Sequence, residues 1–172
     1  VRGSARHELE YAFDLGLSGP GFGYIHSTDA TAGQIARMAE EGTTLVWSPR
    51  SNIDLYGATV PVEVAHRLGA PVVISPDWTW SGSMGPADEL SCAHDYLQTR
   101  SSEISDVELW SWVTGEAARA LGLDGVLGSL EVGYAGDIAV FPFSRSPYRA
   151  VVQAEPEDVR LTVIDGEALY GV

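Results

Sequence analysis

Residues 71–84 read PVVISPDWTWSGSM, and the architecture follows from how that run divides. Val72, Val73 and Ile74 form a short apolar run, bounded by Pro71 on one side and by Ser75 and Pro76 on the other. β-Branched residues enclosed by turn formers predict a strand buried on both faces. The strand opens directly onto Asp77, followed by Trp78, Trp80 and the small residues Ser81, Gly82 and Ser83. Barrels and open α/β sheets place their chemistry at the carboxyl ends of parallel strands. Asp77 is therefore the first candidate, as a metal ligand and proton-transfer group.

Upstream, the same unit repeats. Residues 5–17, ARHELEYAFDLGL, have apolar positions at helical spacing and predict a helix stopped at Gly16. A loop, SGPGFG, leads to a very short strand at 24–26 that ends in His26. Ser27, Thr28 and Asp29 offer capping oxygens for a helix over 30–41, which Gly42 ends. TTLVWS at 43–48 is a further strand, followed by an expected polar loop, Pro49-Arg50-Ser51-Asn52. Pro61 suits the first position of a helix running to Leu68, with Gly69 as its stop. Three strand-then-helix units predict parallel strands joined by right-handed crossovers.

Downstream, helices are expected at 87–96, 106–114 and 116–121. From Leu127 the pattern changes to short alternating strands separated by glycine turns, and Asp165-Gly166 is a two-residue hairpin signal. The division is thus 1–126, a partial (β/α) unit carrying the site, and 127–172, strands of a small β-subdomain. The first four residues, VRGS, read as a loop or an expression remnant.

Composition narrows the functional classes. The 172 residues suffice for one domain with a real core. Ten Arg, no Lys and 24 acidic residues give a formal charge of −14, which repels a phosphate backbone and argues against nucleic-acid binding. No apolar run is long enough to span a bilayer. The single Cys92 cannot form an internal disulfide, and no secretory signal opens the sequence, so a cytoplasmic location is expected. Without lysine there is no carbamylated-lysine bridge and no Schiff base; metal binding would fall to His and carboxylates.

Four stretches, GYIHSTD, LVWSPRSNIDLYG, VVISPDWTWSGSM and VTGEAARALGLDGVLGSLEVGYAGDIAVF, together resemble the C-terminal half of the amidohydrolase superfamily. The branch they are most similar to is that of the cytosine deaminases and chlorotriazine hydrolases. The resemblance implies the last three strand–helix units of a (β/α)8 TIM-type barrel, beside strands of a small β-sandwich. It implies a metal-dependent hydrolase of non-peptide C–N bonds, of amidohydrolase or deaminase type, with a metal-activated water as nucleophile. One divalent ion is implied, zinc in the first place and iron in the second, and Asp77 maps onto the family's eighth-strand ligand. His26 maps onto the sixth-strand histidine, which orients the water or polarises the substrate. The family's His-x-His pair has no counterpart in this sequence, and Pro76 stands where Thr is usual beside the aspartate. An N-terminal half, as a separate chain or a missing segment, is the implied partner, together with a small-molecule substrate; a homo-oligomer is also allowed. His7-Glu8 tempts as the fifth-strand pair but fits the helix after that strand better.

Each residue also has a plainer reading. Asp77 suits a turn aspartate after Ser-Pro, and His26 a capping or core histidine. Asn52 and Arg50 follow the middle strand and face the same end, as substrate contacts or as loop braces. Trp78, Trp80, Ser81 and Ser83 are candidate pocket residues, although indoles at loop ends often only pack. His66 is expected on a solvated helix face. Cys92 and His94 lie two apart on a helix and point different ways, so they make no metal site. A catalytically inactive binding half and a self-sufficient open α/β binding domain are the competing functions.

Overall fold

The computed structural model describes residues 4–171, and its frame is the predicted parallel sheet. β1 (Gly23–Ile25), β2 (Thr44–Trp47) and β3 (Val72–Ile74) lie in the order β1-β2-β3. They are parallel and unshifted, with Tyr24 beside Leu45 and Val46 beside Val73. α1 (Ser4–Asp14) precedes the sheet and α2 (Ala32–Glu41) links β1 to β2. Its capping box is Thr31 with Gln34, not the expected oxygens of residues 27–29, and Gly42 closes it at φ 75°. Of the first four residues, Ser4 begins α1 and the other three lie outside the described residues.

The segment after β2 departs from expectation. Residues 49–52 are no loop: they open α3 (Pro49–Tyr56), with Pro49 at the start, Ser51 and Asn52 buried, and Gly57 as the left-handed stop. α4 (Val62–Leu68) then leads into β3. Beyond the site come α5 (Pro86–Thr99), α6 (Asp106–Ser111) and α7 (Gly115–Ala120). His66 is half-buried rather than solvated, its ring edge against Trp112 and its Nε2 3.3 Å from Glu108. The core runs through Ile35 and Met38 of α2, Leu45 and Trp47 of β2, Ala65 of α4, and Leu90 and Leu97 of α5.

The tail holds β4 (Ile138–Val140), β5 (Leu161–Ile164) and β6 (Glu167–Tyr170) in an antiparallel sheet. Asp165 and Gly166, at φ 50° and 80°, make the hairpin turn that needs two left-handed residues. The expected run of strands from 127 also contains a helix it did not foresee, α8 (Pro147–Val152). α8 packs on α5 and α6 and places Val152 in the main core, so residues on both sides of position 127 share one interior. Arg149 of α8 bonds Asp106, whose other oxygen lies 3.1 Å from Nδ1 of the buried His94. Among the described residues no helix is long and apolar enough to cross a membrane.

Candidate active site

The carboxyl ends of β1 and β3 bring together the two residues singled out in the sequence. His26 Nε2 lies 3.6 Å from Asp77 Oδ2, and both side chains keep partial access to solvent. Asp77 is held from two directions. The Ser51 hydroxyl donates to its Oδ2 at 2.5 Å and the Trp78 amide donates to its Oδ1 at 2.8 Å. Those two bonds, the Ser51 bond first, hold its carboxyl below the ordinary carboxylate range against a smaller opposing effect of burial, with a further pull from His26. Asp77 is thus a carboxylate at neutral pH, fit to accept a proton or to bind a cation.

His26 sits in backbone that few residues adopt. It and Ser27 have φ of 63° and 48°, and the Ser27 amide bonds the Ile25 carbonyl across His26 at 2.8 Å. This is a γ-turn of the strained, positive-φ form. It stops β1 abruptly and turns the imidazole over the sheet end. The Tyr56 ring, at the end of α3, packs edge-on against His26 with centroids 5.5 Å apart. On its other side Nδ1 is 2.7 Å from Asn52 Oδ1.

The remaining candidates divide by exposure. Asn52 is fully buried behind His26, Ser81 is buried with its hydroxyl toward the Trp78 carbonyl, and Trp78 is 67% exposed. Asn52 and Ser81 therefore back the site, and Trp78, with Trp80 beside it, stands at the mouth. Arg50 braces the loop through Ser83 at 2.8 Å, and its amide donates to the buried Glu89. Sequence reading missed Ser51, Tyr56 and Glu89. Ser51 and Tyr56 were hidden by reading α3 as loop: on a helix, residues 52 and 56, four apart, share a face, with 51 about 100° round from 52.

Gly82 is required by contact. A Cβ there would meet the main chain of Asp77 at 3.0–3.2 Å. Gly82→Ala is expected to displace Asp77 and cost about 1–3 kcal/mol, seen as a lower thermal midpoint. An unchanged midpoint would show that the 78–82 turn gives way freely. Ser51→Ala is expected to raise the Asp77 pKa toward its ordinary value, followed by carboxyl carbon NMR. The sign is that of a depressed acid: the ionised group stabilises the fold above about pH 4, and that contribution is lost as pH falls through the lowered folded value. The variant should therefore show a smaller loss of stability on acidification.

Parallel strands followed by helices, with a carboxylate and an imidazole meeting at the strand ends, put this pair where proteins of the α/β class carry their sites. More narrowly, residues 6–170 match the model of the amidohydrolase family, and the chain belongs to that family. A 5-methylthioadenosine/S-adenosylhomocysteine deaminase of Halobacterium salinarum is 34% identical over 177 residues, covering 94% of this chain and 40% of that protein. Among solved structures, E. coli guanine deaminase superimposes with a TM-score of 0.83 at 20% identity, over 95% of this chain and 42% of that one. An adenosine deaminase from Xanthomonas campestris, solved with bound zinc, gives 0.81 at 22% identity, over 95% and 40%. These two show the shared fold. The chain spans about 40% of the length of the curated relatives it matches.

Proposed function

We propose that this chain supplies the last three strand–helix units of a (β/α)8 barrel, with strands of a small β-sandwich, to a metal-dependent hydrolase of non-peptide C–N bonds. Deamination of an amino-substituted purine nucleoside is the reading favoured by the 34% identical relative, whose name gives that activity. The observation that carries the proposal is the 3.6 Å approach of His26 Nε2 to Asp77 Oδ2 across the ends of two different strands.

The residues present fit a divalent ion in kind and not in number. An ionised carboxylate at a partly open strand end suits zinc, with iron as the alternative, and Asp77 would hold it. Among the described residues no three His, Cys, Asp or Glu groups gather to complete a shell. The other ligands would come from further polypeptide, the N-terminal half of the enzyme. The outer edge of β1 is unpaired among the described residues. A groove of about 500 Å³ runs along it, lined by Leu9, Ala12, Tyr24, Ile25, His26 and Tyr56. It lies where such a half would dock.

When bound, the ion supplies a water acidified to near neutrality. This chain's residues do the rest. Asp77 accepts a proton from the attacking water as its oxygen bonds the ring carbon. The C–N bond breaks, and the nitrogen leaves as ammonia with the proton Asp77 returns. His26 faces the reacting carbon and stabilises the charge that develops there, while Trp78, Trp80 and Tyr56 wall the ring. The test uses the full-length protein. Metal analysis should find about one zinc or iron per site, and ammonia should be released from 5-methylthioadenosine, S-adenosylhomocysteine or adenosine. Absence of both metal and ammonia would favour the inactive binding half.

A further inference from the structure

Asn52 reads in the sequence as a substrate contact or a loop brace, and its surroundings give it a more particular task. The side chain is fully buried, so neither water nor substrate reaches it. Oδ1 stands 2.7 Å from His26 Nδ1. Nδ2 donates to Thr59 Oγ1 at 2.9 Å and faces the His26 main-chain carbonyl at 3.5 Å. The carbonyl fixes which end of the amide is which: it can only accept, so the amino group must face it and the amide oxygen must face the imidazole. Thr59 Oγ1 is itself anchored, since it also accepts the indole N–H of the fully buried Trp47 at 2.7 Å.

An amide oxygen opposite Nδ1 requires a proton on Nδ1. Nε2 is then left as the atom turned toward Asp77. The same amide reaches the main chain of a residue held at φ 63°. Strained backbone of this kind persists where its surroundings over-determine it. One buried side chain thus grips both the ring and the carbonyl of His26.

We propose that Asn52, backed by Thr59 and Trp47, is a positioning residue that keeps a proton on His26 Nδ1 and so turns Nε2 to the site. The proposal rests on the hydrolase reading only for its purpose; the tautomer itself can be read without turnover.

The test is long-range proton–nitrogen NMR on the full-length protein with ¹⁵N-labelled histidine, above the ordinary histidine pKa of about 6.5. His26→Gln identifies the resonances. The wild-type ring should show a protonated, pyrrole-type Nδ1. Asn52→Asp keeps an oxygen opposite Nδ1 and should preserve that pattern. Asn52→Leu should lose it, with kcat down about 10²-fold and KM little changed, as expected for a misplaced rather than a missing group. A pyridine-type Nδ1 in the wild type overturns the proposal, as does an unaltered Nδ1 signal in folded Asn52→Leu. Should the leucine variant not fold, the wild-type and aspartate spectra decide between these outcomes. Failure to release ammonia from any substrate would sink the hydrolase reading and leave the tautomer result standing.

Discussion

Asp77→Asn in the full-length protein is expected to lower kcat/KM by at least about 10³-fold, with its thermal midpoint close to wild type. The size follows from two losses at one atom pair. A neutral amide cannot take the proton of the attacking water, a contribution of about 10²–10⁴-fold for a positioned base, and it is a poorer ligand for a divalent ion. The fold should tolerate the change because the replacement has the same shape. An amide oxygen can still accept the Trp78 N–H, as Asp77 Oδ1 does at 2.8 Å. The Ser51 hydroxyl, which now donates to Oδ2, can rotate to accept from the new amino group, since a hydroxyl serves in either direction. Steady-state kinetics with metal content measured on the same sample separates the two losses. Retained metal with lost turnover isolates the proton-transfer role, and loss of both marks Asp77 as a necessary ligand. Activity within tenfold of wild type would remove Asp77 from the chemistry.

The opposite behaviour of two neighbouring stretches explains how much of this site was legible in the sequence. β3 was plain because Val72, Val73 and Ile74 are buried on both faces and no polar residue interrupts them. A carboxylate that follows such a run stands out. α3 was misread because its inward face is polar: Ser51 and Asn52 are wholly buried, yet they look like loop residues in the sequence. Hydrophobic periodicity fails where a helix buries hydrogen-bonding groups for a site instead of apolar groups for a core. The Ser48-Pro49 start and the Gly57 stop were available as boundary signals and were outweighed by the polar letters between them. The tail's antiparallel sheet and its Asp165-Gly166 turn were legible, and α8 was missed for another reason. Strand alternation is a local pattern, and nothing local reveals that Val152 will be claimed by helices some fifty residues earlier in the chain.

Trp47→Ala is expected to be the most destabilising single change near the site, by about 3–5 kcal/mol, the range for truncating a buried large aromatic. Trp47 is fully buried at the centre of the interior, with Tyr96 and Trp112 edge-on at centroid distances of 5.9 and 6.3 Å. Its removal opens a cavity between β2, α5 and the end of α6 that three separate elements would have to fill by moving. It also withdraws the indole N–H from Thr59 Oγ1, an oxygen that also accepts from Asn52. Trp47→Phe separates the two effects. Phenylalanine keeps much of the packing and loses the hydrogen bond, worth about 1 kcal/mol, together with the contacts of the five-membered ring. Its consequence for His26 should exceed its consequence for stability, because Thr59 and Asn52 are then anchored from one side only. Urea denaturation of the full-length protein should show a midpoint lowered by more than about 1 M for the alanine variant, given typical urea slopes of about 1–3 kcal/mol/M, and a small shift for phenylalanine. If the two variants lost equal stability, the indole N–H would outweigh the packing of Tyr96 and Trp112 around it. If neither lost any, this aromatic cluster would not be the point at which the sheet and the site are tied together.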